Sequence, residues 1–428
     1  MKQDRERTYF CIDMKTFYAS VECAERGLDP FETNLVVADP TRGANALCLA
    51  ITPRLKGMGV RNRCRLTEIP ANVQYIVAPP RMKLYVDYAA EIYGIYLRYL
   101  APEDIHVYSI DEAFLDVTDY LRVYRVDKMD FARRLMGDIQ RELKIPSTAG
   151  IGTNLYLAKI ALDITAKHSP DRIGVLTEET FRETLWDHVP LKDFWGISTG
   201  TINRLLRYGI RTMRGIAGAP EALLYKQFGI NAELMIDHAW GRESCRMEDI
   251  KSYRGHSRSV SFSQILPRDY TLEEARIVAQ EMLLNGSHEL LKRHVVTGRV
   301  SLFVGYSRDV VPPTGGGVRM HATTALYSVL SDYGMAIFDK TTLPGVPIRR
   351  LGVGFEGVLG EDAERYDLFE DTDKLAKEKR LEEVELAVAA TFGRNKLLRG
   401  IDFMDSATQR ERNEMIGGHR AGYDDEKR

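Results

Sequence analysis

At 428 residues the chain is too long for one ordinary hydrophobic core, so about two to four domains are expected. Its composition, 44% hydrophobic and 28% charged, is that of an ordinary soluble protein. No apolar run is long enough to span a bilayer, the first residues do not read as a secretory leader, and five cysteines without C-x-x-C pairing argue against structural zinc and for reduced thiols in the cytoplasm.

The first element is Tyr9-Phe10-Cys11-Ile12-Asp13-Met14, a short apolar run ending in a carboxylate. Residues 15–22 (Lys-Thr-Phe-Tyr-Ala-Ser-Val-Glu) then read as a turn entering a helix. Asp13, one turn before a helix N-terminus, can share a metal ion with a second carboxylate, or it can simply cap the helix. Leu35-Val36-Val37-Ala38 is a short strand, and 43–65 is small, basic and turn-rich. Over 81–100, Leu84, Tyr88, Ile92, Ile95 and Tyr96 recur at helical spacing and are read as core. Residues 105–118 alternate apolar and polar as a hairpin, with Asp111 and Glu112 where the chain turns. Successive strand residues point to opposite faces, so the two meet one ligand only if the backbone bends there. Adjacent carboxylates repel and resist burial, which a divalent cation would resolve; taken alone, the pair also fits a solvated acidic turn.

A helix follows over 131–143, then Ala149-Gly150-Ile151-Gly152 leads into a helix over 153–161 that ends near Lys167. Two glycines are a weak sign of a phosphate loop. From about 175 the elements become short helices, and a polar stretch over 241–255 reads as a tether. Beyond it, four extended runs (257–266, 295–306, 318–323, 348–355) alternate with amphipathic helices over 272–292 and 324–339, and Pro312-Pro313-Thr314-Gly315-Gly316-Gly317 reads as a mobile loop. The formal charge of −2 hides a gradient: residues 251–350 carry thirteen Lys or Arg against eight acids, a balance of +5, while 361–428 holds acidic clusters. A basic module followed by an acidic tail suits a protein that grips a phosphate backbone in one place.

Two motifs turn these readings into a resemblance. Asp13-x-x-x-Phe17-Tyr18-Ala19-Ser20-Val21-Glu22, followed about a hundred residues on by Ser109-Ile110-Asp111-Glu112-Ala113-Phe114-Leu115-Asp116, is similar to the Y-family translesion DNA polymerases. The resemblance implies an α+β multidomain, right-hand fold: a mixed-sheet palm (1–17 and 83–174), small fingers (18–82), a helical thumb (175–243), a linker (244–255), a little finger (256–358) and an acidic tail (359–428). It implies two Mg²⁺ ions bridged by Asp13 and Asp111, with Glu112 on the primer-side ion and the Met14 carbonyl on the triphosphate-side ion. Phe17 and Tyr18 would lie against the incoming nucleotide, Tyr18 as a steric barrier to a 2′-hydroxyl and Phe17 partly as core. Arg54 and Lys167 would meet its phosphates, although Ile51 stands where relatives often carry tyrosine and Pro53 is unusual there. The alternatives are a surface cation for Arg54 and a helix-end counter-charge for Lys167.

The family's thumb holds DNA with a helix-hairpin-helix, which Trp195-Gly196-Ile197-Ser198-Thr199-Gly200 resembles, with Ser198 interrupting the usual Gly-x-Gly. Arg258 and Arg299 would line one sheet face of the little finger toward DNA phosphates. Arg365-Tyr366-Asp367-Leu368-Phe369 resembles a sliding-clamp motif with Arg365 in place of glutamine; Leu368 and Phe369 would enter a clamp groove, or pack back onto the little finger. The implied partners are primer-template DNA, deoxynucleotides and the clamp, with no membrane and a monomeric chain. A nucleotide cyclase shares paired palm carboxylates but needs no basic second module. A non-catalytic accessory protein would be expected to lack one of Asp13, Asp111 and Glu112.

Overall fold

The computed structural model describes residues 6–255, 258–307, 311–367 and 371–422. They divide into two units, residues 1–253 with 419–428, and residues 254–418.

The first unit opens with β1 (Tyr9–Met14), α1 (Phe17–Glu25), β2 (Leu35–Val37), β3 (Ala50–Ile51), α2 (Pro53–Gly57), β4 (Ile76–Ala78) and α3 (Met82–Leu97). It continues through β5 (Ile105–Val107), β6 (Glu112–Asp116), α4 (Thr118–Val123), α5 (Lys128–Leu143), β7 (Ser147–Gly152), α6 (Leu155–Ile160) and β8 (Ile173–Leu176). Its main sheet has the order β5-β6-β1-β7-β8. The central strand β1 is buried on both faces, which explains its unbroken apolar run before Asp13. One face packs on α3 and α5 through Phe10, Ile12, Leu115, Phe131 and Leu135. The other is covered by α6, and here the glycines matter: a Cβ on Gly150 would lie 2.1 Å from the Ala158 carbonyl oxygen, and one on Gly152 2.2 Å from the Ala158 nitrogen. These glycines serve close helix–sheet packing rather than a phosphate loop.

A separate three-stranded sheet, β3-β2-β4, carries α2 and encloses its own small core of Val36, Cys48, Ile51, Leu55 and Ile69. After β8 come α7 (Glu178–Thr184), α8 (Thr199–Leu206), α9 (Met213–Ala217), α10 (Glu221–Phe228) and α11 (Asn231–Trp240), built around Phe181, Phe194 and Leu205. The stretch expected to be a tether instead forms α12 (Met247–Ser252), whose Met247 is buried against Tyr9, Phe114 and Leu155. Met247, with Cys245 and Ile250 packed beside it, anchors this charged segment.

The second unit holds β9 (Ser259–Tyr270), α13 (Leu272–Lys292), β10 (Val295–Tyr306), β11 (Thr314–Thr324), α14 (Tyr327–Thr341) and β12 (Ile348–Glu356). The sheet order is β11-β10-β12-β9, all antiparallel, with α13 and α14 on one face. Helix α13 spans the residues expected, fixed by a capping box between Thr271 and Glu274. The expected mobile loop at 312–317 is largely strand, because Gly315, Gly316 and Gly317 pair with Phe303, Leu302 and Ser301. Gly315 has φ +125° and lies so close to the β10 backbone that a Cβ would fall 2.0 Å from the Leu302 oxygen.

The acidic tail is also folded where described. Helix α15 (Thr372–Phe392) buries Leu375 in the second unit's core and turns its acids inward. Glu382 accepts from Ser287 Oγ (2.6 Å) and the Tyr327 amide (3.2 Å), and Glu378 accepts from Ser328. Residues 419–422 belong to the first unit, where the Lys83 amide donates to the Ala421 carbonyl. Leu368 and Phe369 lie outside the described residues.

Candidate active site

Strand β1 delivers Asp13 to one end of the main sheet, directly opposite Glu112 in register. The chain bends at residues 109–111, with the Tyr108 and Ser109 amides both donating to the Glu112 carbonyl, and the Met14 amide donates to the Asp111 carbonyl at 2.8 Å. The bend lets Asp111 and Glu112 serve one site despite being adjacent in sequence. Ser109 Oγ orients Asp111 through a 2.8 Å hydrogen bond to Oδ1.

The three carboxylates are treated differently by their surroundings. Asp13 is half-buried and accepts no hydrogen bond from any described group; burial, then Asp111 and Glu112, push its carboxyl up to about 7. This is a local shortage of positive charge, and a divalent cation among these donors would relieve it. Glu112, in contrast, is already paired: Lys159 Nζ lies 2.8 Å from Oε2 and the Cys11 thiol donates to Oε1 at 3.1 Å. Neither Lys159 nor Cys11 was singled out from sequence, since both sit in apolar runs and read as core.

A cationic group borders the carboxylates. Lys56 in α2 is held below its ordinary pKa by desolvation and then by Lys15 and Lys167. Lys15, just past β1, is likewise lowered by burial and by Arg172. Three ammonium groups repelling one another call for a polyanion. Of these, the sequence pointed to Lys167 alone. Arg54 is exposed on α2 and makes no side-chain pair with a described residue. Phe17 is buried in the core, so Tyr18 is the aromatic of the pair that borders the site; its hydroxyl pKa is raised by burial and by Asp111, and its ring stacks on Tyr85 at 4.5 Å.

Farther along the first unit, Gly196 occupies a left-handed turn with φ +84°, and Ser198 caps α8 by accepting from the Thr201 amide at 3.2 Å. Ser198 thus has a capping reason to interrupt the glycine pattern. Gly200 lies within α8, with only Ser198 Oγ near its Cβ direction. The element before the turn is just the 3₁₀ turn Leu191–Asp193, shorter than the full helix a helix-hairpin-helix implies. In the second unit, Arg299 faces away from α13 and α14, opposite Arg319 in register, and pairs with Glu356 at 3.1 Å. A shallow depression beside it is floored by Ser261, Ser263, Ser301, Gly352 and Gly354. Arg258 lies just before β9 and is exposed.

The model of the impB/mucB/samB family matches residues 12–163, and that of its C-terminal domain matches 257–368. The chain is 31% identical over 426 residues to UvrX of Bacillus subtilis, named for UV-damage repair, covering 97% of this chain and 98% of that one. It is 30% identical to DNA polymerase IV 2 of the same organism, covering 97% and 99%. This chain belongs to the Y-family DNA polymerases. Its fold is also similar to a solved Y-family polymerase chimera of Dbh and Dpo4, at 20% identity and a TM-score of 0.63, covering 82% of this chain and 99% of the other. The motifs at Asp13 and Asp111 lie inside the first matched region, and the open sheet face inside the second. The polymerase is therefore a DNA-directed nucleotidyltransferase of the translesion class, a family that works with divalent metal.

Proposed function

We propose that this polymerase extends a primer past damaged template by two-Mg²⁺ nucleotidyl transfer, with Asp13 and Asp111 holding both ions, Glu112 the primer-side ion and the Met14 carbonyl the triphosphate-side ion. The single observation that carries this reading is the half-buried Asp13 carboxylate, set beside Asp111 and Glu112 without a hydrogen-bond donor of its own among the described residues. The ions supply charge neutralisation and a lowered pKa for the attacking 3′-hydroxyl. The protein's own residues do the rest. Lys15, Lys56 and Lys167, with Arg54 from α2, receive the triphosphate, and Tyr18 closes the space beneath the sugar.

In this reading the main sheet with α3 to α6 is the palm, the β3-β2-β4 region the fingers and α7 to α11 the thumb. The turn at Gly196, Ser198 and Gly200 presents backbone amides to a DNA phosphate. The second unit is the little finger: Arg258, Arg299 and Arg319 around a serine- and glycine-floored face let a phosphate backbone approach without base contacts. Asp111→Asn should abolish extension of a primer with dNTPs and Mg²⁺ while leaving primer-template affinity nearly unchanged. Robust synthesis by that variant would remove the two-ion reading. A clamp contact through Leu368 and Phe369 is part of the proposal: replacing both with Ala should spare extension of a short primer and remove stimulation by a loaded sliding clamp.

A further inference from the structure

Lys159 is the least expected feature of the site. Its ammonium lies in a largely buried position, with its side chain and that of Glu112 each 10% exposed. Besides Glu112 it reaches a second carboxylate, Asp163 Oδ1 at 3.3 Å, which is 31% exposed. The helix is not regular at this point. After α6 ends at Ile160, residues Ala161–Thr165 form a π-turn that carries Asp163. Such turns recur where a helix places side chains for function at the expense of regular hydrogen bonding.

With both Glu112 oxygens engaged, by Lys159 on one side and Cys11 on the other, Asp13 and Asp111 are left without an ion pair of their own among the described residues. Among the described residues no three Asp, Glu, His or Cys side chains gather into a metal-ligand set. The two-ion reading puts all three carboxylates on the ions, and in that reading Glu112 gives up Lys159 to reach the primer-side ion.

We infer that Lys159 is a latch: it stands in for the primer-side cation on Glu112 and moves its charge to Asp163 when Glu112 swings toward the ion. This rests on the two-ion reading above and deepens it. Lys159 acts through Glu112 and is a positioning residue. Asp163 is what makes the exchange feasible, because a buried ammonium released from Glu112 with no second carboxylate would be left uncompensated.

The test is Mn²⁺ binding, counted by electron paramagnetic resonance on the full chain with bound primer-template and no nucleotide. Lys159→Met keeps the length and removes the charge; it should tighten the weaker Mn²⁺ by about tenfold, the scale of one nearby like charge lost at a partly buried site. Asp163→Asn should loosen it severalfold, because Lys159 then has Glu112 alone. A simple field effect would give the same signs, so a cycle with Glu112→Gln decides. In that background Lys159→Met should leave Mn²⁺ affinity unmoved, since the latch acts through Glu112. An equal effect of Lys159→Met in both backgrounds, no effect in either, or weakening overturns the latch. Asp163→Asn, at a partly exposed position, keeps the test independent of whether Lys159→Met folds. Asp111→Asn reports separately on the parent reading: it must lose Mn²⁺, and unchanged binding there overturns the two-ion reading rather than the latch alone.

Discussion

Tyr18 and Glu22 lie one helical turn apart on α1 and do opposite work. Tyr18 borders the carboxylates while its ring rests on Tyr85, which fixes the ring's position; the proposed function puts it beneath the incoming sugar. Tyr18→Ala should take ribonucleotides about a hundredfold more readily and keep deoxynucleotide synthesis, as measured by single-nucleotide insertion; unchanged sugar discrimination would assign the ring to packing alone. Glu22 is fully buried and ties α1 to α3. It accepts from Arg81 Nε (3.0 Å) and Nη2 (2.8 Å), from Tyr85 Oη (2.8 Å) and from Arg26. Burial alone would raise its carboxyl, but the donors Arg81, Tyr85 and Arg26 together hold it below the ordinary glutamate range. A depressed folded pKa means that the stabilisation is present above the ordinary glutamate value and is lost as pH falls through the folded one. Glu22→Gln should therefore cost about 2 kcal/mol at neutral pH by urea unfolding, and the gap to the parent protein should close below about pH 4.

At the scale of elements, two glycines make opposite predictions. Gly150 in β7 faces backbone atoms of Ala158 and Leu162 at 2.1 and 2.3 Å from a built Cβ, whereas Gly200 in α8 meets only Ser198 Oγ at 3.8 Å. Gly150→Ala should lower stability by about 3 kcal/mol or more, because backbone cannot step aside, and Gly200→Ala should be neutral or raise it by up to about 1 kcal/mol. Thermal unfolding of both variants checks the pair; similar shifts would show that the α6–sheet spacing is softer than its geometry. The sequence made much of this level legible. The run at Tyr9–Met14 and the hairpin around Asp111 were readable because burial and alternation leave a hydropathy pattern. Helix α13 was readable from its amphipathic pattern, and the structure adds the Thr271–Glu274 capping box at its start. The glycine run 315–317 was not, since a strand held by backbone pairing to β10 leaves no side-chain pattern. Lys159 escaped for a related reason: hydropathy assigns a lysine to water, and nothing in spacing alone tells that Glu112 waits for it across 47 residues.

The same blindness to long-range pairing applies at the scale of the whole molecule. The acids of 361–428 read as an acidic tail, and some of them, like Glu281 of α13, are hydrogen-bond acceptors within the second unit. Glu281 of α13, 1% exposed, accepts from the Thr408 amide and hydroxyl and from the Gln409 amide, at 2.9 to 3.2 Å. It thereby caps the short helix Gln409–Asn413 from a distant element, as an N-terminal side-chain cap would from nearby. On α15 and beyond, Arg399 reaches Glu385, and His288 reaches the same carboxylate. Residues 371–418 lie past the family's C-terminal match, which ends at 368, while UvrX and DNA polymerase IV 2 align over 97% of the chain. The segment is thus an added layer on the helical side of the second unit's sheet, away from the face that carries Arg299. Glu281→Ala should cost about 2 kcal/mol, because three donors lose a charged acceptor. The Thr408 and Gln409 amides should exchange hydrogen at least about tenfold faster, while primer extension holds at the parent rate, since the variant leaves Asp13, Asp111 and Glu112 untouched. Exchange at those two amides that is fast in the parent protein and unmoved by the substitution would show 400–413 to be a free tail rather than a segment held by Glu281.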